Sequence, residues 1–454
     1  MNMAMMVGIG PFITIPAFVA TLGGPRAMVG WLLGAAVALA DGLVWSELAA
    51  AFPGSGGTYH FFDAVYGQSR TGRLLKFLFT WQFLFSGPLE IASGAIGLAQ
   101  YIGFLWPTLK RAAWHVRAAD PTLGALDWRV TRGQLLAMAL MMAITKLAYR
   151  RIEVAGRLMV ALWAGMLATV AWVIAAGLAR FDPGLVWDFP PDAWRLDRTS
   201  LLGLGGALAI AMYDLLGYYQ VCYLGDEVSD PARTLPRSIL TSVIAVSMAY
   251  LAMNLSILGV LPWRAVIVSE HIASDLMLRL HGASAARLVT LMILWTGLAG
   301  LFAALLGYSR VPYAAACSGH FFRGLARTHP TGDFPHRALV LVGGLATLAC
   351  LADLTTVILA LLTSRILIQF VGQIATVFYL RTRPDLVARL SFRMVLFPLP
   401  ALVALAGWLA VFATSPMRVK IYGLGSLVLG VAVFAAWDRI AHDRPPRSRS
   451  TLGY

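Results

Sequence analysis

The stretch VGIGPFITIP, residues 7–16, interrupts an apolar segment close to the start of the chain. Gly8, Gly10 and Pro11 weaken any helix there, because glycine loses much backbone entropy on folding and proline lacks an N–H donor. We therefore do not expect a continuous helix from residue 8 to residue 11. In a soluble protein such a stretch forms a turn, so its meaning depends on the solvent around the chain.

The composition is that of a membrane protein. Of the 454 residues, 59% are hydrophobic and 13% are charged, which is about half the charged share of an average soluble domain. The apolar runs recur from end to end, and a spanning helix needs about 20 such residues. We expect an all-α polytopic protein of about twelve transmembrane helices. The net charge of +14 is scattered between these runs, as in membrane-surface loops, which argues against nucleic acid as a partner and for the lipid bilayer.

Twelve segments have the required length and composition. They lie near residues 2–22, 27–51, 76–105, 134–149, 154–179, 200–223, 238–262, 286–312, 337–353, 356–380, 394–413 and 419–437. More Lys and Arg fall on the side that holds both chain ends, so the positive-inside rule predicts a cell-membrane protein with both termini cytoplasmic.

The first half of segment 1 is short. Residues 1–7 span only about 10 Å as a helix, while half of the hydrocarbon core measures about 15 Å. We therefore expect either that the natural chain begins upstream of Met1 or that this first half is loosely held.

A second interruption lies in the sixth segment, in AMYDLLGYYQVCYLGDE, residues 211–227. Asp214 and Gly217 stand near the middle of this apolar run. A broken helix at membrane depth is tolerated only where it is buried in protein or lines a cavity. Paired breaks at corresponding positions of two repeats point to a transporter site. A harmless glycine kink is the alternative for either break alone.

Four stretches resemble the amino acid, polyamine and organocation (APC) permeases. They are the glycine-rich break at 8–12 with Pro16, the stretch ELAAAFPGSGGTY at 47–59, the stretch GDEVSDPARTLPR at 225–237, and the residues YSR at 308–310 with HP at 329–330 and FP at 334–335. The resemblance covers about residues 7–383. The chain departs from the family in having one extra residue between Phe12 and Pro16. It also lacks the helix 5 lysine of some proton-coupled relatives, so that mode of coupling is not supported.

The resemblance implies a LeuT-type fold in which helices 1 and 6 are broken. Residues 1–180 would form a first five-helix repeat, residues 199–381 a second, inverted repeat, residues 393–438 two additional helices, and residues 439–454 a basic cytoplasmic tail. The implied function is secondary active transport of an amino acid or related amine by alternating access, as proton-coupled symport or exchange. A polyamine or amine transporter, and a permease-like amino-acid sensor or non-transporting subunit, stay open as alternatives.

The two breaks suit the two charges of an α-amino acid. Backbone N–H groups freed at the start of the outer half of helix 1 favour a carboxylate, and carbonyls freed at the end of the first half of helix 6 favour an ammonium. The predicted substrate-binding residues are Val7, Gly8, Ile9, Gly10, Phe12, Met212, Tyr213, Asp214, Gly217 and Tyr218.

Ionisable groups within the membrane are candidates for coupling, and these are Glu90, Asp214 and Arg365. Each also has a structural interpretation as a neutral or paired group. Arg365 needs a carboxylate partner, which is Glu90, Asp41 or Asp214. Tyr218 and Tyr219 are candidates for an aromatic gate, with packing as the alternative. We found no metal-ligand spacing, nucleophile motif or phosphate-binding loop, so the sequence predicts no enzyme activity, metal or cofactor.

Overall fold

The computed structural model of the chain describes residues 2–54, 56–120, 124–149, 156–191, 193–195, 197–330, 332, 334–388 and 390–442. Most of these residues are helical. Within this part of the chain, five helices are long and apolar enough to cross a membrane, namely Pro25–Ala51, Pro231–Leu258, Ile272–Cys317, Leu354–Arg381 and Met417–Arg439. The chain is therefore a polytopic, mostly helical protein. Residues 443–454 of the predicted basic tail lie outside the described residues.

The helices in chain order are α1 (Asn2–Met6), α2 (Gly10–Thr21), α3 (Met28–Ala51), α4 (Thr58–Tyr66), α5 (Arg70–Leu105), α6 (Arg132–Tyr149), α7 (Gly156–Leu178), α8 (Pro183–Val186), α9 (Arg198–Leu215), α10 (Pro231–Leu258), α11 (Trp263–Val266), α12 (Ile272–Cys317), α13 (His336–Ala349), α14 (Leu354–Arg365), α15 (Gly372–Arg381), α16 (Pro384–Val387), α17 (Leu399–Thr414) and α18 (Met417–His442). Short 3₁₀ helices occupy Pro25–Ala27, Pro107–Lys110, Gln220–Glu227 and Arg323–Ala326, and a π-helical turn, Ile366–Val371, joins α14 to α15. Each of the twelve predicted segments overlaps a helix.

One element contradicts the all-α prediction. Strands β1 (Ala112–Asp120) and β2 (Gly124–Thr131) form an antiparallel hairpin between α5 and α6, with Ala112 opposite Thr131. The hairpin sequence has aromatic and β-branched residues at alternate positions, such as Trp128 and Val130, which is typical of strands. A search by hydropathy overlooks it because the segment is too polar and too short to span a membrane.

Both predicted breaks are present. The first segment divides into α1 and α2, with α2 beginning at Gly10 and Pro11 in its first turn, where proline is tolerated. The sixth segment ends its α-helix at Leu215 and resumes as the 3₁₀ helix Gln220–Glu227, with Gly217 at φ +104° in the connection. Only glycine adopts such a φ without strain.

The broken halves pack against each other. Helix α2 contacts α9, while α1 contacts α10 and the 3₁₀ helix Gln220–Glu227. The Asn2 side chain is buried and donates a 2.8 Å hydrogen bond to the Tyr218 carbonyl, so α1 is attached to the connection of the sixth segment. The expectation of a loosely held first half does not agree with this contact.

Small residues bring α3 and α9 close together behind the breaks. A Cβ atom added at Gly34 would lie 2.6 Å from the Cβ of Ala211, which is far inside van der Waals contact. Close approach of two membrane helices through such small residues is a common packing mode in lipid, where van der Waals contact drives association. This contact fixes the position of the last turns of α9, which carry Asp214.

Candidate functional site

A cavity of about 790 Å³ lies at the junction of the two breaks. Five parts of the bundle line it: residues 6–11 of the first break; Glu90 and Gly94 of α5; Met166 of α7; Tyr213, Asp214, Leu216 and Gln220 of the sixth segment; and Thr296, Gly297, Ala299, Gly300, Leu301, Ala303, Ala304, Gly307 and Tyr308 of α12. Most of the lining is apolar, and the polar groups are few, as is usual for a small-molecule site.

The first break supplies hydrogen-bond donors to this cavity. Within the described part of the chain, the N–H groups of Ile9 and Gly10 have no hydrogen-bond partner, as expected at the first positions of a helix. Gly8 is exposed, and a Cβ added there would meet nothing within 4 Å. The start of α2 therefore offers free N–H groups and the positive end of a helix dipole, which together suit an anion.

Asp214 packs directly against this helix start. Its Oδ2 accepts a 2.7 Å hydrogen bond from the Thr14 hydroxyl of α2, and the residue is only 5% exposed. Its Oδ1 has no hydrogen-bond partner among the described residues and lies 3.1 Å from the position that a Cβ of Gly10 would take. One carboxyl oxygen is thus bound by the protein, and the other is buried without a hydrogen-bond partner among the described residues.

The carbonyl end of α9 lies beside Asp214. The helix ends at Leu215, and the N–H of Leu216 turns back to the Tyr213 carbonyl at 3.2 Å. The Tyr213 hydroxyl bonds to the Ser93 hydroxyl of α5 at 2.7 Å, which holds the ring against the cavity. The negative end of the α9 dipole and the Asp214 carboxyl both favour a cation here.

Glu90 and Arg365 form an ion pair at the α5 side of the cavity. The Arg365 Nη2 lies 2.6 Å from the Glu90 Oε2, so Glu90 is the carboxylate partner that Arg365 requires. The guanidinium also donates to the Ser86 hydroxyl at 3.0 Å and to the Tyr219 hydroxyl at 3.1 Å. The Glu90 side chain is 21% exposed and lines the cavity, whereas the Arg365 side chain is 3% exposed and lies behind it.

Four predicted binding residues lie outside the cavity lining. They are Phe12, Met212, Gly217 and Tyr218. Phe12, Met212 and Tyr218 are fully buried. Tyr218 instead donates a 2.5 Å hydrogen bond to Asp41, and Tyr219 stacks on Trp45 with ring centroids 4.5 Å apart. The lining of α12 was not predicted, although its run TGLAGLFAALLGY, residues 296–308, has the small residues that a cavity wall needs.

The motifs at 47–59 and 225–237 meet at one end of the bundle, which we name the Glu47 end. Glu47 is fully buried and accepts hydrogen bonds from the Arg381 Nε at 2.6 Å, the Arg381 Nη2 at 2.7 Å and the Met394 N–H at 2.7 Å. The motif containing Glu47 also contacts the motif at 225–237, because a Cβ on Gly225 would lie 2.2 Å from the Gly54 carbonyl oxygen. These motif residues close the end of the bundle and do not line the cavity.

A polar cluster also lies at the Glu47 end. His320, just after α12, has its Nδ1 2.5 Å from the Tyr59 hydroxyl and its Nε2 3.2 Å from the Lys76 Nζ. Lys76 is fully buried and forms an ion pair with Asp63. Burial and then the Lys76 charge, with a smaller contribution from Arg73, lower the pKa of His320 below its usual 6.5, against the opposite effect of Asp63. His320 is therefore neutral at pH 7.

A helical membrane bundle whose two broken helices meet at a cavity has the architecture of a small-molecule permease. Residues 1–431 match the family model described as amino acid permease. The chain therefore belongs to the amino acid permease family, as the resemblance to APC permeases predicted. It is a multi-pass membrane transporter of amino acids and not an enzyme.

Similar proteins have transporter names. The chain is 28% identical over 357 residues to an uncharacterised transporter of Mycobacterium tuberculosis, covering 78% of this chain and 72% of the relative. It is 24% identical to a serine/threonine exchanger of Bacillus subtilis (88% and 86% covered). It is 25% identical to a branched-chain amino acid permease of the same organism (84% and 80% covered).

Proposed function

We propose that this protein is a secondary transporter that binds a zwitterionic α-amino acid at the junction of the two breaks and moves it by alternating access. The observation that carries the proposal is the arrangement around the cavity: Ile9 and Gly10, whose N–H groups are unpaired among the described residues, line it together with Asp214, whose Oδ1 is likewise unpaired and lies 3.1 Å from the position of a Gly10 Cβ. The helix start binds the substrate carboxylate. The end of α9 and Asp214 bind its ammonium.

The inverted repeat is supported by how the segments pair. Helices that stand five segments apart pack directly on each other: α2 on α9, α3 on α10, α5 on α12 and α6 on α13. A five-plus-five repeat related by a two-fold axis in the membrane plane produces such pairs. We therefore propose the LeuT-type arrangement of twelve spans, with residues 1–180 and 199–381 as the repeats and residues 393–438 as the added helices.

We propose that Asp214 couples transport to protons. A carboxylate in the membrane interior is costly to ionise without a cation nearby, and within the described residues its one hydrogen-bond partner is the neutral Thr14 hydroxyl. A substrate ammonium stabilises the ionised form, and its departure restores the proton. The charge distribution of the loops further supports a cell-membrane location with both termini cytoplasmic.

Solute counterflow in proteoliposomes tests the function. Vesicles containing the purified protein and a high concentration of unlabelled amino acid should accumulate the same labelled amino acid from outside, and empty vesicles should not. The probes are labelled serine, leucine, lysine and the polyamine putrescine. Amino-acid amides and decarboxylated amines should compete poorly, because they lack the carboxylate that the α2 start binds.

Two results would contradict the proposal. Saturable binding of an amino acid without any counterflow indicates a sensor or non-transporting subunit. Equal affinity for an amino acid and for its decarboxylated amine indicates an amine or polyamine transporter, since the N–H groups at Ile9 and Gly10 would then contribute nothing.

A further inference from the structure

Glu90 lines a part of the cavity that the amino acid backbone does not need, and its partner Arg365 lies behind that wall. The proposed carboxylate and ammonium sites lie at the two helix breaks. Glu90 lies on α5 at another wall of the same cavity, near Tyr308 and Gln220. The Gln220 Nε2 donates a 3.4 Å hydrogen bond to the Tyr308 hydroxyl oxygen. A substrate held at the breaks by its backbone groups extends its side chain toward these other walls.

Arg365, which lies behind the cavity, determines the net charge of the wall that contains Glu90. Glu90 is a potential acceptor for a cationic side chain, but the Arg365 guanidinium lies 2.6 Å from its Oε2 and cancels its charge. Arg365 is itself held by Ser86 and Tyr219 and lies 5.6 Å from the centre of the Phe83 ring. Its guanidinium is therefore held by α5 and by the connection of the sixth segment, and it does not follow the ligand.

The backbone at Arg365 is also specialised. The α-helix α14 changes to a π-helical turn, Ile366–Val371, directly after Arg365. Such turns occur frequently at functional sites, where they redirect side chains. The turn carries Gln369, whose side chain is buried beside the same Tyr219. A salt bridge with a purely structural role in the bundle needs no such interruption of its helix.

We infer that Arg365 is the specificity-determining residue for substrate charge: by neutralising Glu90, it makes the side-chain wall of the cavity select amino acids with neutral side chains and reject lysine and arginine. This inference rests on the proposed function. Glu90 contacts the substrate side chain and accepts hydrogen bonds from its hydroxyl or amide groups. Because Arg365 neutralises the Glu90 charge, a cationic side chain gains no ion pair there. Arg365 acts through Glu90 and is a positioning residue.

The test is a change of substrate preference in variants at these two positions. Labelled serine and lysine are offered to proteoliposomes containing the unmodified protein, Arg365→Gln or Arg365→Lys. In Arg365→Gln the released Glu90 carboxylate attracts a cation, so the ratio of lysine uptake to serine uptake should rise by about tenfold or more. Arg365→Lys keeps the positive charge and is the matched control, so its ratio should remain that of the unmodified protein.

Two further variants keep the test decisive. In Arg365→Gln combined with Glu90→Gln, the gain in lysine uptake should disappear, because the carboxylate that attracts lysine is gone. The single variant Glu90→Gln leaves the Arg365 charge unbalanced, so it should bind lysine still more weakly and bind glutamate more strongly. Glu90→Gln alone tests the inference if Arg365→Gln does not fold.

The outcomes separate the two proposals. If the unmodified protein exchanges serine and the folded variants keep its lysine-to-serine ratio, the charge-selection inference is wrong and the transport function stands. If the unmodified protein exchanges no amino acid at all, the proposed function is wrong, and the inference is wrong with it.

Discussion

The Tyr218 hydroxyl donates a 2.5 Å hydrogen bond to Oδ2 of Asp41, and both side chains are buried. This bond links α3 to the non-helical connection of the sixth segment. The carbonyl of the same Tyr218 accepts a hydrogen bond from the Asn2 side chain of α1. The two broken segments and α3 are therefore joined at one residue. Asp41 Oδ1 has no hydrogen-bond partner in the described part of the chain, so Tyr218 is the main polar support of this carboxyl.

Removing the Tyr218 hydroxyl should destabilise the protein. Tyr218→Phe leaves a buried carboxyl without its hydrogen bond, at a cost of about 1 to 3 kcal/mol in the free energy of unfolding. The double variant Tyr218→Phe with Asp41→Leu should lose less than the sum of the single variants, because it removes both polar partners. SDS-induced unfolding in mixed micelles measures all three values. Strict additivity would mean that the bond contributes nothing.

Gly10 should tolerate no side chain. A Cβ at Gly10 would lie 3.1 Å from the Asp214 Oδ1 and 3.6 Å from the Tyr213 ring. Gly10→Val should weaken amino acid binding by about tenfold to a hundredfold, which corresponds to an overpacking cost of about 1 to 3 kcal/mol. Gly344→Ala, where a Cβ meets nothing within 4 Å, is the control. Normal affinity in folded Gly10→Val would place the substrate elsewhere.

Asp214 should control the response to a proton gradient. Asp214→Asn keeps an acceptor for the Thr14 hydroxyl, so the fold is retained, but the side chain no longer binds and releases a proton. We expect this variant to lose pH-dependent accumulation or transport altogether. The measurement is uptake by proteoliposomes under an imposed proton gradient, with Asp385→Asn in the exposed helix α16 as the control. Unchanged uptake and pH dependence would leave Asp214 as a structural carboxyl.

The sequence predicted the segments and the breaks because both depend on local composition. Apolar length identifies each membrane helix, and Gly8, Gly10 and Pro11 identify the first break from backbone chemistry alone. The second break lies at the predicted place, because the helix ends at Leu215, directly after Asp214, and Gly217 has a φ of +104° in the connection.

Side-chain partners could not be predicted in the same way. Arg365 needed a carboxylate, and three were available, because one sequence does not give the rotation of one helix against another. Tyr218 was expected at the substrate but turns to Asp41. The α12 wall was missed for the same reason, since its role depends on what lies beside it, whereas the hairpin β1–β2 was missed because a search by hydropathy passes over a short polar segment.

The Glu47–Arg381 pair should stabilise the Glu47 end. Glu47 is fully buried and Arg381 is one-fifth exposed, and the pair is bidentate. Arg381→Ala leaves a buried carboxylate uncompensated and should lower the free energy of unfolding by about 2 to 3 kcal/mol. Arg381→Lys should have a free energy of unfolding between those of the unmodified protein and Arg381→Ala, because an ammonium cannot form the two parallel hydrogen bonds of a guanidinium. Arg383→Ala, which removes an exposed neighbour, is the control; an equal loss in that variant would refute a specific role for the pair.

His320 should make the Glu47 end sensitive to acid. The Lys76 ammonium only donates hydrogen bonds, so the His320 Nε2 accepts, and its Nδ1–H donates to the Tyr59 oxygen. Protonation would put a second positive charge 3.2 Å from Lys76. Burial and this charge lower the pKa of His320 in the folded protein. Below pH 6.5 the unfolded chain therefore binds more protons at this residue than the folded chain does.

The stabilising contribution of neutral His320 is therefore complete above pH 6.5 and decreases as the pH falls below that value. We expect the purified protein to be less stable at about pH 5.5 than at about pH 7.5, in part through this residue. His320→Gln, which stays uncharged, should reduce the difference, whereas His281→Gln at an exposed position of α12 should not. Unfolding curves for the three proteins at both pH values measure the effect, and an unchanged pH difference in His320→Gln would exclude His320 as its source.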